Sequence, residues 1–530
     1  MENIYRRFNY YSLKPSLRGS LALLVVLVAI IPLLYVFLSS MQLDLQGWKD
    51  LWTGRLPGLL WNTLSLSILV AIGSAILGIS AAWWVTRREF AGRRLAIWLM
   101  VMPLTIPTYV FANIYSNLLE ENGWLGRAWH LVFATPPPEL FNLFGVAFVL
   151  TLAGFSYVFL LVQDALSRSQ QNLEEAARIQ GATPFQVFYR VNLPLLRPAI
   201  AAGLAVVVLH VLSDFGAVSM LRFQTFTLSI YLQMNGRFDF QAAAGLSLVL
   251  VSLSLTFLIL ERFFRNRQRY YGTSQASRYK PRKATAFETS MIWFWLGLIM
   301  LFAFILPFAW MLAWSWDAWM DDLIDEEFWG YVRNSMGVSF AAATLTVIAA
   351  LPVALYHARQ RHFVSQSFLH ASSVGFVLPG PVIALGILAF VLANMPMLYG
   401  GIIVLIVAMV VRFLPLAINA QESAAQQLTP SIELAARSLG ASAIETLRKV
   451  TLPMIRGGMI SAWVLVFIDT LKELPATLIL RPTGFDTLPV RIWIEASEEM
   501  LELAAPAALM LVIGTLPIIW FLMKPEKSTS

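Results

Sequence analysis

Twelve apolar segments run through this sequence, and each is about as long as the 20 residues that an α-helix needs to cross a bilayer. Backbone groups in lipid must be hydrogen-bonded internally, so such segments cross a membrane as helices. With 58% hydrophobic and 13% charged residues, the chain is predicted to be an all-α integral membrane protein and not a water-soluble one. The segments lie near residues 20–40, 58–85, 95–119, 143–165, 199–220, 240–260, 289–316, 335–356, 367–395, 399–420, 458–480 and 503–523.

Basic residues collect in alternate connections between these segments and thereby orient the chain. Residues 262–283 carry eight basic residues and no acid, whereas residues 317–327 carry six acids and no base. Loops rich in Lys and Arg stay in the cytoplasm, so we predict a basic cytoplasmic linker at residues 262–288 and both termini in the cytoplasm. The same basic run could bind anionic lipid headgroups. Its position between membrane segments argues against nucleic acid as a partner.

One polar, arginine-bearing segment occurs twice. Residues 174–200 return as residues 433–459, with ten identities in 27 positions and a separation of 259 residues. A second block repeats at a separation of 272 residues, so that Arg87 corresponds to Arg359. Because the separation falls from 272 to 259 residues, the connection between helices nine and ten is predicted to be shorter than the corresponding connection in the first half.

The duplication predicts two homologous six-helix halves, residues 1–261 and residues 289–530. Because each half has an even number of helices, the two copies share one orientation and are related by an axis along the membrane normal. Two such halves in one membrane most often enclose a translocation path on that axis.

Local signals in the repeated segment predict a helix, a bend and a second, amphipathic helix. In the first copy strong helix formers end at Gly181, and Thr183 and Pro184 suit the N-cap and first position of the second helix. The loops extend over about residues 168–198 and about residues 425–457. Such a hairpin can insert into a groove on a partner or lie on the bilayer surface, and the residues alone leave both possibilities open.

This pattern resembles the coupling motif of binding-protein-dependent ABC importer permeases. In both halves a glutamate precedes an Ala-Ala pair, a glycine follows seven residues after the glutamate, and Leu-Pro follows twelve residues after the glycine. The resemblance implies a type I importer permease in which each loop docks on one of two cytoplasmic ABC ATPase subunits. It implies that the coupling residues are Glu174, Ala177, Gly181 and Pro194 in the first half and Glu433, Ala436, Gly440 and Pro453 in the second.

The chain carries no G-x-x-x-x-G-K-[ST] phosphate-binding loop. ATP and Mg²⁺ are therefore expected on the partner subunits, and this chain is expected to be a permease subunit that holds no cofactor and is not itself an enzyme.

A narrower resemblance covers nearly the whole chain. The stretches HVLSDFGAVSML, residues 210–221, and DTLKELPATLILRPTGFDTLPVRIW, residues 469–493, are similar to the fused permeases of the bacterial ferric iron importer family. The resemblance implies an inner membrane protein that receives ferric iron from a periplasmic binding protein. Fused permeases for thiamine, phosphonate or another small solute share this architecture and are the alternative.

Two other classes of protein fit less well. An ion-coupled secondary transporter would not explain the repeated coupling motif. A membrane-embedded enzyme would require a Ser/His/Asp set, an H-E-x-x-H motif or a clustered carboxylate pair.

Ionisable side chains within predicted membrane helices mark candidates for the substrate path, because a charge at the helix centre costs about 2.5–3.5 kcal/mol. Asp469, Lys472 and Glu473 are spaced to share one face of predicted helix eleven. At a separation of 259 residues, His210 corresponds to Asp469 and Asp214 corresponds to Glu473. Oxygen ligands suit a hard ferric ion, and the chain has no cysteine to form a thiolate site. The alternative is a structural ion-pair network, and no metal site is firmly assigned.

Overall fold

Helices form the membrane-spanning part of the chain. The computed structural model describes residues 17–167, 171–266, 281–360, 362–372, 375 and 378–522. The first half contains α1 (Leu17–Met41), α2 (Leu45–Gly54), α3 (Leu56–Arg87), α4 (Arg93–Val101), α5 (Thr108–Leu119), α6 (Trp124–His130), α7 (Leu143–Ser167), α8 (Gln171–Ile179), α9 (Pro184–Val187), α10 (Leu193–Ser213), α11 (Gly216–Met220), α12 (Phe226–Asn235) and α13 (Phe240–Asn266).

The second half repeats this order with one helix fewer among the described residues. It contains α14 (Ala286–Met300), α15 (Leu306–Met320), α16 (Glu326–Arg359), α17 (Phe363–Ser372), α18 (Gly380–Asn394), α19 (Ile402–Gln427), α20 (Pro430–Ser438), α21 (Ala443–Thr446), α22 (Leu452–Leu471), α23 (Pro475–Leu480), α24 (Leu488–Ser497) and α25 (Leu501–Leu522).

All twelve predicted membrane segments coincide with apolar helices. In the part of the chain that the structure describes, nine helices are long and apolar enough to cross a membrane. The helix pair Arg93–Thr105 and Thr108–His130, bent by 96° where Pro107 interrupts the hydrogen bonding, forms a tenth candidate. The shorter apolar helices Gly380–Asn394 and Leu501–Pro517 occupy the remaining two segments. The prediction of an all-α membrane protein is confirmed.

Corresponding helices pack in the same way in the two halves. In the first half α3 packs against α7 and both contact α10, and in the second half α16 packs against α19 and both contact α22. Close approach of α3 to α7 depends on Gly78, because a Cβ there would lie 2.9 Å from the carbonyl oxygen of Phe155. Of these helices, α7, α10, α19 and α22 contribute residues to the cavity described below.

The first membrane-spanning segment of each half packs against the other half, and in the second half this segment is α14 and α15, joined by the π-helical turn Leu301–Ile305. Helix α1 lies on α18, where Gly386 has no side chain and the carbonyl of Pro32 occupies the position that a Cβ would take. In return, the Trp310 indole of α15 donates a 2.8 Å hydrogen bond to the Asn117 side chain of α5. The two halves therefore interlock and do not merely sit side by side.

The connection between α18 and α19 is short, as the change of repeat separation predicts. Seven residues, 395–401, join these helices, whereas the corresponding connection in the first half, residues 120–142, contains α6.

The end of the predicted linker is attached to the end of α3. Strand β1 (Arg88–Glu89) pairs in parallel with β2 (Arg282–Lys283), and Arg88 lies 3.3 Å from the Glu288 carboxylate. Residues 267–280 of the linker lie outside the described residues. This pairing places the linker at the same end of the molecule as Arg87, which contacts the first coupling loop.

Candidate functional site

The two coupling loops have the helix, bend and helix that the sequence predicts. Helix α8 ends before Gly181, whose φ of +84° is a left-handed conformation that favours glycine. Thr183 caps α9 by accepting a hydrogen bond from the Gln186 backbone, and the Gln186 side chain accepts one from the backbone of Thr183. In the second loop Gly440 has a φ of +92°, and Ser442 caps α21 through a capping box.

Each loop continues without a break into a membrane helix. A π-helical turn, Phe188–Asn192, joins α9 to α10, and Pro194 lies directly after this turn as the second residue of α10. The turn Leu447–Thr451 joins α21 to α22 in the same way, with Pro453 in the first turn. A force on either loop is therefore transmitted directly to a helix of the core.

The glutamate of the first motif is buried and anchors the loop to the membrane domain. Glu174 forms an ion pair with Arg87 at the end of α3, and both side chains are almost inaccessible to solvent. The same guanidinium lies 3.3 Å from the side-chain oxygen of Asn192 in the π-helical turn. These three residues therefore join α3, α8 and the start of α10 at one point.

The second half builds the same anchor from corresponding residues. Arg359 lies 3.0 Å from the Glu433 carboxylate, which also accepts a 2.9 Å hydrogen bond from the hydroxyl of Thr451. Arg359 further donates a 2.9 Å bond to the carbonyl of Leu428 at the entrance of the loop. We refer to Arg87, Glu174 and Asn192, and to Arg359, Glu433 and Thr451, as the two anchor triads.

The remaining predicted coupling residues form the bend itself. Ala177 and Ala436 are half-buried at the ends of α8 and α20. The carbonyl of Ala177 accepts a 3.0 Å bond from the backbone of Ala182, just beyond the glycine, and the carbonyl of Ala436 accepts the equivalent bond of 3.1 Å. Bonds of this kind satisfy the last carbonyls of a helix that ends at a left-handed residue.

Apolar side chains project from both loops. Phe185 and Ile444, which occupy corresponding positions, are 75% and 71% exposed. By contrast, Val187 is buried within the chain, and Phe188 packs edge-on against Trp83 with ring centroids 4.9 Å apart. We define the docking face of the first loop as Ile179, Phe185 and Tyr189, and that of the second loop as Leu434, Leu439 and Ile444.

The predicted path residues meet in one cavity of about 250 Å³ between the halves. Both halves line it at corresponding positions, which places it on the pseudo-two-fold axis. It lies at the C-terminal ends of α10 and α22, about 30 Å from the coupling loops at 1.5 Å per helical residue. The corresponding lining residues are Tyr157 and Leu416, His210 and Asp469, Ser213 and Lys472, Asp214 and Glu473, and Gly216 and Pro475.

Asp214 has a structural role at the cavity wall. Its carboxylate accepts bonds of 3.0 and 3.2 Å from the backbones of Ala217 and Val218 and so caps the short helix α11. The hydroxyl of Thr108 donates a further bond of 2.5 Å to it.

Glu473 has the same role for α23. It accepts a 2.8 Å bond from the backbone of Ala476, and Arg412 lies 2.7 Å from the same oxygen. Asp214 and Glu473 therefore both cap a short helix, and of the two only Glu473 is also part of an ion pair.

Asp469, Lys472 and Glu473 lie at the end of α22. The helix ends at Leu471 with Lys472 as its C-cap in helical backbone, and Glu473 lies beyond it. Pro475, in the first turn of α23, has no backbone N–H with which to continue the hydrogen bonding of α22. Lys472 lies 3.7 Å from Asp469, as the i+3 spacing predicts, and donates a 3.1 Å bond to the carbonyl of Leu104.

His210 lies at the cavity surface with an aromatic partner. Its Nε2 atom is 3.0 Å from the hydroxyl of Tyr157 on α7, and its Nδ1 atom is 3.3 Å from the carbonyl of Val206. Among the described residues, no three His, Asp or Glu side chains lie close enough together to hold a metal ion.

Sequence reasoning missed the arginine members of the anchor triads, although Arg87 and Arg359 were aligned as repeats. It also missed Tyr157 and Arg412 at the cavity, because each is a single residue without a local motif. A signal was nevertheless present in Arg412, since an arginine inside a membrane helix requires a partner.

Comparison with known proteins assigns the chain to a family. The model of the binding-protein-dependent transport system inner membrane component matches residues 74–270 and 342–523. The Fe(3+)-transport system permease protein FbpB 2 of Haemophilus influenzae is 31% identical over 95% of this chain and 97% of its own. The ferric transport system permease protein FbpB of Actinobacillus pleuropneumoniae is 25% identical over 87% of this chain and 71% of its own.

A smaller relative corresponds to one half in size. The sulfate transport system permease protein CysT of Escherichia coli is 29% identical over 45% of this chain and 88% of its own. The two separate family matches and the apolar helices that occupy the twelve predicted segments agree with a duplicated, multi-pass permease subunit. The chain belongs to the family of binding-protein-dependent transport system inner membrane components, the membrane subunits of ABC importers.

Proposed function

We propose that this permease moves ferric iron, delivered by a periplasmic binding protein, into the cytoplasm under the drive of two ATPase subunits. The observation that carries the substrate assignment is similarity to the Haemophilus influenzae ferric permease along 95% of the chain. Family membership implies ATPase and binding-protein partners. The number of ATPase subunits, and the side of the membrane on which each partner binds, are part of the proposal.

The two docking faces support two ATPase subunits. Each presents three exposed apolar side chains beside a bend that a left-handed glycine fixes. Helix-in-groove recognition buries such side chains in a partner. Since each loop is continuous with a core helix and tied to a second one by an anchor triad, closure of two ATPases would move both halves together.

The axial cavity supports passage of a cation. Asp214, Asp469 and Glu473 supply three formal negative charges, and Arg412 and Lys472 supply two positive ones. With His210 neutral, the lining has a formal charge of −1. This small negative charge favours entry of a cation without binding it tightly. Candidate path residues are therefore His210 and Asp469 at the cavity surface, with Asp214, Lys472 and Glu473 shaping the wall.

The pairing of β1 with β2 supports the proposed topology. It places the start of the second half beside the first anchor triad, at the end that carries the coupling loops. We assign this end to the cytoplasm, together with both termini and the linker at residues 262–288, between halves at residues 1–261 and 289–530. The basic composition of the linker agrees with that side.

Substrate identity is tested by uptake of radiolabelled ferric iron into iron-starved cells with and without this chain, with labelled thiamine, phosphonate and sulfate in parallel. Iron accumulation that depends on the chain is expected, with no chain-dependent accumulation of the other solutes. Chain-dependent uptake of another solute and none of iron would overturn the iron assignment.

A further inference from the structure

A polar pocket of about 520 Å³ opens at the end of the molecule opposite the coupling loops, which we call the outer face. Helix α3 connects the two ends. Arg55, directly before this helix, lies about 48 Å from Arg87 of the first anchor triad at 1.5 Å per helical residue. The pocket lies between the start of α3 and the connection that joins α12 to α13, and it is lined by both Arg55 and Arg237.

The two arginines of this pocket have no carboxylate partner. Neither guanidinium lies within 4 Å of an acidic side chain in the part of the chain that the structure describes. Burial and the neighbouring positive charge of Arg237 lower the pKa of Arg55, and Asp239 partly opposes them. Asp239 itself caps α13, because its carboxylate accepts a 2.9 Å bond from the backbone of Ala242. Two like charges therefore lie close together, and an anionic group from outside would stabilise both.

The second half has the same local framework. Asn62 of α3 donates a 3.0 Å bond to the carbonyl of Gln224, and Asn334 of α16 donates a 2.9 Å bond to the carbonyl of Asp486. Helices α12 and α24, which begin directly after these connections, both have a threonine as N-cap residue. The pocket of the first half can therefore be compared residue by residue with the second half.

The charges at corresponding positions are opposite. At the repeat separation of 272 residues (327 − 55 = 272), Arg55 corresponds to Glu327. Arg237 is the second residue after α12, and Glu499 is the second residue after α24. Both arginines of the first half are therefore replaced by glutamates in the second. We refer to Arg55 and Arg237 as the basic pocket and to Glu327, Glu498 and Glu499 as the acidic patch.

The acidic patch is exposed and surrounds a buried carboxylate. Its three glutamates have no basic partner within 4 Å among the described residues. Burial raises the pKa of Glu495, Arg491 lowers it, and the charges of Glu498 and Glu327 raise it further. Arg491 lies 2.8 Å from one oxygen of Glu495, but the buried Oε2 atom has no hydrogen-bond partner among the described residues. A basic side chain of a partner would supply the missing donor.

We propose that the outer face binds the periplasmic binding protein in one orientation, with acidic side chains of that partner over the basic pocket and basic side chains over the acidic patch. This inference rests on the proposed function for the identity of the partner and its side of the membrane. Complementary charges accelerate encounter, and the reversed orientation is disfavoured because like charges would meet.

The contrast between the two ends of the molecule supports a single, asymmetric partner outside. Each anchor triad contains an arginine and a glutamate, so the coupling loops keep one charge pattern in both halves. Equivalent loops suit two equivalent partners, whereas charges that invert between the halves suit one partner that lies across both. A second copy of the chain cannot be that partner, because two copies in one membrane present their outer faces in the same direction.

The first test measures association of the binding protein with the full-length chain, assembled with its ATPase in lipid nanodiscs. Electrostatic steering raises association rates by about 10–10³-fold. Arg55→Glu with Arg237→Glu should therefore slow association about tenfold at low salt, and Glu498→Arg with Glu499→Arg should slow it similarly. Arg94→Glu is the control, because Arg94 is exposed at the start of α4, at the end that carries the coupling loops.

The two double variants change the net charge in opposite directions, so a simple effect of net charge would slow one association and accelerate the other. Only slowing by both, with Arg94→Glu unaffected, supports the proposed orientation, and any other result overturns it. Co-purification of the ATPase and the unfolding temperature establish that each variant is folded. If a charge reversal prevents folding, Arg55→Gln with Arg237→Gln and Glu498→Gln with Glu499→Gln replace the reversals, with the same direction expected.

Cross-linking tests the orientation itself. The chain has no cysteine, so an introduced thiol carries a photoactivated cross-linker at one position only. Arg237→Cys should capture an acidic segment of the binding protein, and Glu499→Cys should capture a basic segment elsewhere on its surface. Capture of the same segment from both positions overturns the proposal.

Iron uptake by the same variants separates this surface from the proposed function. Chain-dependent iron uptake, together with association that neither double variant slows, overturns the docking surface and leaves the iron permease intact. Slowing by both double variants in a system that carries another solute and no iron supports the docking surface and overturns the proposed substrate.

Discussion

Thr108 and Gly380 occupy corresponding positions but support the neighbouring carboxylate in different ways. In the first half the hydroxyl of Thr108 donates directly to Asp214. In the second half the position has no side chain, and the Arg412 guanidinium fills that space to reach Glu473. Both halves therefore keep a carboxylate-capped helix at the cavity. The first half supports the carboxylate with the neutral hydroxyl of Thr108, and the second half supports it with the charged guanidinium of Arg412.

Gly380→Ala should damage the second half selectively. The new methyl group would overlap the guanidinium of Arg412 and separate it from Glu473, leaving a buried carboxylate without its charged partner. Removal of one partner from a buried ion pair costs about 3–5 kcal/mol. We expect a lower thermal unfolding temperature and reduced transport. Gly457→Ala is the control, because a Cβ at that helical glycine meets no atom within 4 Å. Equal stability of the two variants would contradict the role of Arg412.

Arg87 provides a second test at the level of single residues. Arg87→Gln should leave the Glu174 carboxylate buried without a cation, so we expect loss of both stability and ATP-driven uptake. The adjacent Arg88→Gln is the matched control, because its pair with Glu288 is partly exposed and such pairs contribute about 0–1 kcal/mol. The double variant Arg87→Met with Glu174→Leu should recover stability but not coupling, since no charge remains buried while the anchor is gone. Full uptake by the double variant would show that the triad has no coupling role.

The coupling loop is the element whose structure the sequence predicts best. Capping residues, a glycine at the bend and a proline at the helix start are local signals, and all three determine the observed backbone. The anchor triads could not be predicted in this way, because Arg87 and Glu174 are 87 residues apart and their contact depends on how α3 packs. The same limit explains why the predicted segment at residues 458–480 is divided between α22 and α23, where Pro475 interrupts a sequence that would otherwise extend the helix.

The bend glycines should be sensitive to any side chain for a backbone reason alone. A Cβ at Gly181 or Gly440 meets no atom within 4 Å, but both residues have a positive φ. The left-handed conformation costs a non-glycine residue about 1–2 kcal/mol. Gly181→Ala and Gly440→Ala should each weaken ATPase assembly and uptake, and the double variant should be more impaired than either. Assembly can be measured by co-purification of the ATPase, and undiminished co-purification with the double variant would contradict the importance of the bend.

At the scale of the whole molecule, two duplicated halves are interlocked around one cavity. Helices α1 and α15 tie each half to the other, the coupling loops lie at one end, and the cavity lies on the axis about 30 Å away. The sequence predicts the two halves and their axis through the repeat separations. It does not predict which side chains meet on that axis, because those contacts require both halves to be folded.

The proposed function requires both loops of this chain to engage an ATPase subunit. The most direct measurement is ATP-driven ferric iron uptake by proteoliposomes containing the chain, its ATPase and its binding protein, with Phe185→Asp and Ile444→Asp introduced singly. Leu131→Asp, at an exposed position beyond α6, is the control. We predict that each single loop variant loses most of the uptake while the control retains it. Full iron uptake with either docking face disabled, or without ATP, would contradict the coupling of two ATPase subunits to one path.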